Sequence, residues 1–198
     1  MHEYSVSYHD RKRILYFLAL FSILSSPFIA EALSKISSIS SFNLAAPSGL
    51  AIFFLFFISF DQFIWKWKIL YWTDIVKIPN LNGDWQGTLL SSTGEKKIEI
   101  SVKIHQTYTK LTVRLEAPSS MSFSKMAIFD MADPTCFNLR YEYRAEYKPS
   151  KTETKIHYGV TNLLLKNYNG EIDVIDEARY YTELGRDTHG RITLQKKV

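Results

Sequence analysis

Two long apolar stretches near the start of the chain constrain the fold more than any other feature of the sequence. Residues 14–33 form a 20-residue stretch whose only charged residue is Glu31, and residues 44–65 form a 22-residue stretch whose only charged residue is Asp61. A helix of about 20 apolar residues spans a hydrocarbon core of roughly 30 Å. The second stretch contains five consecutive large apolar residues at 53–57, which make every face of a helix apolar and suit a lipid environment. The sequence therefore predicts a hairpin of two transmembrane helices.

The charges that flank the two stretches predict how the hairpin is oriented. Residues 11–13 are all basic, and Lys66 and Lys68 follow the second stretch, whereas the connection at residues 34–43 carries a single cation. Basic flanks favour the cytoplasmic side of a membrane. We therefore expect a multi-pass protein with both termini in the cytoplasm and the connection on the outer side.

A cleaved signal peptide is the alternative reading of the first stretch. Its basic start, its apolar run and the Ala30-Glu31-Ala32 sequence resemble such a segment. The second stretch would then stop transfer, so the domain that follows it would still lie in the cytoplasm.

Small residues recur along the first stretch at intervals of three or four positions. Small side chains allow another helix to approach closely. The sequence leaves open whether this surface packs inside the hairpin or mediates association between subunits. The candidate oligomerisation residues are Ala19, Ser22, Ser26 and Ala30.

After a short linker at residues 78–81, the apolar residues change to a period of two. Every second residue from 98 to 104 is Ile or Val, which is the alternation of a half-buried strand. Turn signals such as Asn169-Gly170 separate one alternating segment from the next. Eight strands are predicted, at about residues 83–91, 96–106, 109–117, 121–130, 135–147, 153–165, 171–183 and 190–197.

Eight strands joined by short turns form an up-and-down array that has two unpaired edges unless the sheet closes on itself. The sequence predicts no long helix after the apolar stretches that could cover an open sheet. We therefore predict a two-helix transmembrane hairpin, residues 1–73, followed by an all-β domain, residues 74–198. This domain is expected to be an antiparallel up-and-down eight-stranded minimal β-barrel, whose interior has room for side chains or one small ligand.

Charge and composition exclude several classes of function. The segment from residue 74 onward contains 18 Lys and Arg residues and 16 Asp and Glu residues. Its formal net charge of +2 is too small for bulk nucleic-acid binding. The single cysteine, Cys136, excludes an intramolecular disulfide and Cys-based metal sites. The sequence contains none of the common hydrolase, metalloprotease, P-loop or dinucleotide motifs. We therefore predict no catalytic residue, no metal ligand, no cofactor and no enzymatic activity.

Two segments are denser in chemically useful residues than the rest of the chain. Residues 81–87 read Leu-Asn-Gly-Asp-Trp-Gln-Gly and open the first predicted strand. The indole of Trp85 there either closes one end of the barrel or meets a ligand. Residues 178–190 form a hairpin with two arginines, two tyrosines and two threonines. Guanidinium groups match phosphates and tyrosine rings can stack on bases, although a solvated hairpin tip can also have this composition.

Two spans, a short linker, the Leu-Asn-Gly-Asp-Trp-Gln-Gly start and the Tyr-Tyr-Thr…Arg…Thr-x-Gly hairpin together resemble a known family. They look like the two-transmembrane, β-strand-rich effectors of CBASS, the cyclic-oligonucleotide-based anti-phage signalling of bacteria. The resemblance covers nearly the whole chain, and the architecture is more distinctive than either motif. The positions that match are Gly83, Trp85, Gly87, Tyr181, Thr182, Arg186, Thr188 and Gly190.

The resemblance implies a function for both halves of the chain. The barrel would bind a cyclic dinucleotide made by a partner cyclic nucleotide synthase during phage infection. Binding would drive self-association of the hairpins in the lipid of the bacterial inner membrane, disrupt that membrane and kill the cell, which is abortive infection. We predict that Arg179 and Arg186 bind the phosphates and that Tyr158 and Tyr181 contribute stacking or hydroxyl contacts. The full set of candidate ligand-binding residues is Trp85, Tyr158, Asn162, Arg179, Tyr181, Thr182, Arg186 and Thr188.

Two other functions remain open on the sequence alone. A membrane-tethered carrier with a lipocalin-like barrel would hold an apolar ligand, with a lumen lined by Ile, Leu and Phe and the arginines outside. The alternation around Arg140 and Arg144 predicts that these two arginines face outward, as a carrier requires. A membrane-anchored enzyme would need a catalytic group that no motif reveals.

Overall fold

The computed structural model describes residues 1–39, 45–92, 97–133, 136–147, 156–166, 172–183 and 188–197, the side chains of Asp133 and Cys136 excepted. The chain divides into two compact units. One unit is helical and comprises Asp10–Leu70, and the other comprises Met1–His9 together with Tyr71–Val198. Residues 1–9, which the predicted division at residue 73 assigns to the hairpin, thus belong to the same unit as the β domain.

The helical unit is built from the two apolar stretches. Helix α1 (Arg11–Ile39) contains the first, and helix α2 (Gly49–Gln62) continues through a 3₁₀ turn (Ile64–Lys66) to contain most of the second; a short helix, α3 (Lys68–Trp72), follows. At 1.5 Å per residue, the 29 residues of α1 and the 18 residues of Gly49–Lys66 extend about 44 and 27 Å. Both are long and apolar enough to cross a membrane.

The small-residue stripe of α1 lies on a covered face of the helical unit. Ser22 is buried, and its hydroxyl donates to the carbonyl oxygen of Ala19 at 2.7 Å. Ala19, Ser26 and Ala30 are half-buried, whereas Phe28 is 73% exposed. Helix α1 packs against α2, so the burial of the stripe agrees with packing inside the hairpin.

The described residues of the second unit form a closed β-barrel of nine strands, not the predicted eight. Eight of them match the predicted segments, and the ninth precedes α1 in the chain. The spatial order is β1-β4-β3-β2-β9-β8-β7-β6-β5, and β4 also pairs with β5. The strands are β1 (His2–Val6), β2 (Gly83–Ser91), β3 (Lys97–Gln106), β4 (Lys110–Glu116), β5 (Ser120–Asp133), β6 (Cys136–Tyr147), β7 (Ile156–Lys166), β8 (Val174–Thr182) and β9 (His189–Lys196).

Strand β1 fills a gap between β4 and β5. Those two strands pair with each other only where residues 114–116 meet residues 121–123. Farther along, β1 lies between them, antiparallel to β4 and parallel to β5. The predicted count of eight is wrong because β1 has only five residues, so the alternation of Tyr4 and Val6 with Glu3 and Ser5 is too short to stand out in the sequence. The hairpin also separates it from the other strands in the sequence.

One end of the barrel is plugged by large side chains, among them Trp85, whose two possible roles on the sequence alone are to close this end or to meet a ligand. Its indole is fully buried and donates from Nε1 to the carbonyl oxygen of Leu81 at 3.0 Å. Gln106 fixes the linker that enters here, because its Oε1 accepts from the Leu81 N–H at 2.8 Å and its Nε2 donates to the Pro79 carbonyl at 3.0 Å. Gly87 is required by close packing, because a Cβ there would overlap the backbone carbonyl of Thr193 on β9.

Candidate ligand-binding site

A cavity of about 190 Å³ lies inside the barrel at the end opposite the Trp85 plug. Alternate strand ends of an up-and-down barrel meet at the same rim, so the described ends of four strand pairs lie here: β2 and β3, β4 and β5, β6 and β7, and β8 and β9. The polar and aromatic lining comes from Ser91, Ser119, Ser120, Ser122, Tyr141, Tyr143, Tyr147, His157, Thr161, Tyr180, Thr182 and Thr188. The apolar lining comes from Leu89, Ile98, Leu115, Ala117, Ala145 and Ile192.

The inner face of β7 shows how the sequence builds this cavity. Toward the closed end its inward residues are Leu163 and Leu165, both buried in the core. Toward the open end they are His157, Gly159 and Thr161. A Cβ on Gly159 would overlap the phenol of Tyr143 on β6, so the glycine makes room for that ring. The barrel interior therefore changes along one strand from an apolar core to a polar and aromatic chamber.

Tyrosines on β6 dominate one wall of the cavity. Burial raises the pKa of the Tyr141 phenol to about 12, and a hydrogen bond with Thr161 opposes part of that shift. Tyr141 is therefore a neutral hydroxyl at physiological pH. The rings of Tyr143 and Tyr147 each lie 6.3 Å from the imidazole of His157, centroid to centroid. These aromatic faces and hydroxyls suit a planar, hydrogen-bonding group.

Two of the predicted ligand residues, Thr182 and Thr188, line the cavity at the base of the β8–β9 hairpin. Their hydroxyl oxygens are 3.1 Å apart, and Thr182 Oγ1 also donates to the Thr188 carbonyl at 3.0 Å. The Thr188 N–H donates back to Thr182 Oγ1 at 3.0 Å. This pair closes the hairpin on the cavity side. Arg186, between them in the sequence, lies outside the described residues.

Four other predicted ligand residues lie together on the outer surface of the barrel. They are Tyr158, Asn162, Arg179 and Tyr181. Asn162 is directly opposite Arg179, so these residues share one outer wall. Thr182 faces the other way, because the residue opposite it is Gly159, whose neighbour Tyr158 points outward.

The outer surface carries a row of three arginines and one asparagine. Arg140, Asn162, Arg179 and Arg191 lie directly opposite one another across β6, β7, β8 and β9. Arg140 is exposed, which agrees with the outward direction predicted for it. Beside this row, the Lys166 ammonium, 2.8 Å away, holds the pKa of the Glu177 carboxyl below its usual range, and Arg179 and Arg191 add to the effect.

Trp85, the remaining predicted ligand residue, is separated from the cavity by the length of the barrel interior. Its ring is fully buried and its N–H is already bonded to Leu81. We therefore leave it out of the candidate site.

The electrostatics of the cavity limit what it can hold. Among the described residues that line it, none is Lys, Arg, Asp or Glu. A charged phosphate buried without a cation is strongly unfavourable. The chamber therefore suits a neutral aromatic group, and a phosphate would have to stay near the rim. At about 190 Å³ it is smaller than the roughly 300–1,000 Å³ of most ligand pockets, so it has room for only part of a typical small-molecule ligand.

The prediction missed several cavity residues, above all Tyr141, Tyr143 and Tyr180. The signal was present in part, because alternation on β6 places Tyr141 and Tyr143 on the same face as Phe137 and Leu139. An inward-facing tyrosine near a strand end is a candidate for ligand contact in a barrel that has one open end.

A closed barrel with one plugged end and one polar, aromatic chamber defines a receptor or carrier of a small ligand. A family match narrows this class. Residues 76–196 match the family model described as Cap15, cyclic dinucleotide receptor domain, and the chain belongs to that family. The chain is also similar to CD-NTase-associated protein 15 of Yersinia aleksiciae. The two are 26% identical over 158 residues, which cover 79% of this chain and 72% of the relative. The resemblance to CBASS effectors is thereby confirmed.

Proposed function

We propose that this chain is a membrane effector of bacterial anti-phage defence, whose barrel binds a cyclic dinucleotide at its open end. The observation that carries the proposal is the tyrosine-lined cavity inside a domain of the cyclic dinucleotide receptor family. One base enters the chamber between the rings of Tyr143, Tyr147 and Tyr180. Stacking on such rings contributes to affinity for any base, and the hydroxyls contribute hydrogen bonds.

The phosphates stay at the rim of the cavity. Arg186 is the cation of the β8–β9 hairpin, and the cavity-lining residues Thr182 and Thr188 flank it in the sequence. A guanidinium group can bind a phosphate through two parallel hydrogen bonds. Arg186 is thus the phosphate ligand of this proposal. The outward residues Tyr158, Asn162, Arg179 and Tyr181 form the alternative surface, and the test below separates the two.

The helical unit anchors the protein in the bacterial inner membrane. Residues 1–9 precede α1 and residues from 71 onward follow α2, yet both belong to one folded barrel unit. They must therefore lie on the same side of the membrane, which supports a hairpin that crosses twice. The basic flanks of the hairpin place that side in the cytoplasm, where a nucleotide made by a partner synthase would be available.

Ligand binding leads to self-association of the hairpins, disruption of the inner membrane and cell death. A ligand can shift this equilibrium only by binding the assembled state more tightly than the resting state. Ala19, Ser22, Ser26 and Ala30 are the proposed intersubunit residues. Because they are covered within the hairpin, assembly by this route requires α1 and α2 to repack.

Binding to the full-length protein in detergent tests the proposal. A panel of cyclic dinucleotides is titrated by calorimetry, and particle size is followed by light scattering. Arg186→Ala should weaken binding by at least about tenfold, the usual effect of losing a charged hydrogen bond. Arg191→Ala, which removes the same charge from the outer surface, is the matched control and should change affinity less than about twofold.

Three results would contradict parts of this proposal. If no member of the panel binds, the receptor function is wrong. Loss of affinity in Arg179→Ala with none in Arg186→Ala would move the ligand to the outer surface. Binding without any change in particle size would leave a receptor but remove the assembly step.

A further inference from the structure

Strand β1 is held in the barrel by a compact set of contacts with β4, β5 and the turn that joins β3 to β4. Its backbone pairs with β4 at His2 and Glu3 and with β5 from Tyr4 to Val6. The Tyr4 ring is buried 5.3 Å from the ring of Phe129, centroid to centroid. Its hydroxyl donates to the carbonyl oxygen of Tyr108 at 2.7 Å. The slot between β4 and β5 is thus shaped for this strand.

The ends of β1 are fixed by side chains as well. His2 Nε2 lies 2.7 Å from the hydroxyl of Ser124, a buried residue of β5. The Ser7 hydroxyl donates to the Asp130 carboxylate at 2.9 Å and accepts from the Met131 N–H at 3.0 Å. These partners lie on β5, so the same contacts would form with the β1 strand of another copy.

The connection from β1 to α1 is short and unfavourable in conformation. It comprises residues 7–10, and Tyr8 within it has a φ of 59°. A positive φ is costly for a bulky residue with a Cβ. The Tyr8 side chain is 78% exposed, so the fold gains little packing from it in return. Among the described non-glycine residues, only Tyr8 and Asp74 have a positive φ, one in each connection between barrel and helices.

We propose that β1 is an exchangeable strand: in the assembled protein, the β1 of one copy occupies the slot between β4 and β5 of the next. This inference rests on the assembly step of the proposed function and names the partner surface. Exchange keeps the contacts of β1 unchanged. Its free-energy cost is therefore set by the association of two copies and by the conformation of residues 7–10, which connect β1 to α1. A short, strained connection favours exchange because an extended link to a neighbour relieves the strain.

The hairpin makes the exchange effective at low protein levels. Copies anchored in one membrane meet at a high effective concentration. Each copy gives one strand and receives one. Exchange between two copies closes a dimer, whereas exchange from each copy to the next is head-to-tail and continues into rings or open chains. β4 and β5 remain paired at residues 114–116 and 121–123, which keeps the barrel closed there while β1 is exchanged.

Disulfide trapping between two single-cysteine variants tests the exchange directly. Ser5 and Ile128 are opposite each other on β1 and β5, and both are exposed. With Cys136→Ala as background, Ser5→Cys and Ile128→Cys proteins are mixed in detergent, with and without the cyclic dinucleotide panel, and oxidised. A disulfide between them can form only across two chains. A mixture of Ser5→Cys with Ser101→Cys, an exposed position on β3, is the matched control.

The expected result is a mixed disulfide in the assembled fraction, at least about tenfold above that of the control mixture, given the close approach a disulfide requires. Assembly without the mixed disulfide overturns the exchange and leaves the proposed function standing. Absence of both ligand-driven assembly and the mixed disulfide, including at high protein concentration, overturns both.

The double variant Ser5→Cys/Ile128→Cys provides a second measurement. Once oxidised within one chain, it should bind ligand like the reduced protein but fail to form large particles, and reduction should restore them. Equal assembly in both redox states overturns the exchange.

A pair of substitutions at Tyr8 tests the strained connection. Asparagine tolerates a positive φ and relieves the strain, whereas alanine keeps it. The Tyr8→Asn protein should therefore need about threefold more ligand for assembly than the Tyr8→Ala protein. No difference between these two variants counts against the strained connection as the driving feature.

Discussion

Tyr141 on β6 and Thr161 on β7 lie directly opposite each other and face the same cavity. The phenol of Tyr141 is buried, which raises its pKa to about 12. It is therefore a fixed, neutral hydroxyl at the inner limit of the chamber. In the proposed binding mode, a ligand base meets this pair after it has passed the outer tyrosines.

Replacing Tyr141 by Phe removes one hydroxyl from the cavity and keeps the ring. We expect Tyr141→Phe to weaken cyclic dinucleotide binding about fivefold to tenfold, because one buried hydrogen bond to the ligand is lost. Calorimetric titration of the full-length protein measures this. Tyr181→Phe makes the same chemical change on the outer surface, where Tyr181 is 52% exposed, and should leave affinity unchanged. Equal loss in both variants would contradict a site inside the barrel.

The raised pKa of Tyr141 also predicts how stability depends on pH. Below about pH 10 the phenol is protonated in both the folded and the unfolded chain, so it adds no pH dependence. Between the ordinary phenol pKa of 10.0 and the raised pKa of about 12, the unfolded chain ionises while the folded one does not, and stability falls. The loss should approach about 3 kcal/mol at the upper limit, at 1.36 kcal/mol per pKa unit.

The measurement compares wild type with Tyr141→Phe in denaturant titrations at pH 9, 10.5 and 11.5. The difference in unfolding free energy between the two proteins isolates this phenol from the other groups that titrate in the range. Tyr181→Phe serves as the control and should follow wild type. A constant difference across the three pH values would show that Tyr141 ionises normally in the folded protein.

Trp85 should affect stability far more than ligand binding. Trp85→Ala leaves a large cavity at the closed end and should cost about 3–5 kcal/mol. Trp85→Phe keeps much of the volume but loses the hydrogen bond to the Leu81 carbonyl, so a smaller loss of about 1–2 kcal/mol is expected. Thermal unfolding measures both effects. Affinity of Trp85→Phe for the ligand should stay within about twofold of wild type; a larger drop would restore Trp85 as a ligand residue.

The eight main strands could be predicted from the sequence because two independent signals agree. Alternation gives the strand segments, as in the Ile and Val residues of β3, and turn residues end them. The described ends differ from the predicted ones by no more than three residues. Strand β1 alternates over only a few residues, with Tyr4 buried between the exposed residues Glu3 and Ser5, and the hairpin separates it from the other strands. It is a strand only because β4 and β5 separate around it, which is a property of the folded barrel.

The candidate site could be predicted only in part. Alternation usually indicates that the apolar face of a strand points inward, but in a strand that lines a polar cavity the polar face points inward. On β7 the apolar residues Ile156, Tyr158 and Val160 face outward, while His157 and Thr161 face the interior. Reading the apolar face as the inner one therefore places Tyr158 on the wrong side. Thr182 and Thr188, which line the cavity, are predicted from the composition of their hairpin and not from alternation.

Accessibility labelling tests the membrane topology that the fold supports. In a Cys136→Ala background, Ala45→Cys lies between α1 and α2, and Lys197→Cys lies just after β9; both positions are exposed. A membrane-impermeant maleimide added to spheroplasts should label Ala45→Cys at once and Lys197→Cys only after lysis. Ser5→Cys on β1 should behave like Lys197→Cys, because β1 and the rest of the barrel form one folded unit. Labelling of position 5 but not 197 from the outside would mean that β1 leaves the barrel and the hairpin no longer crosses the membrane twice.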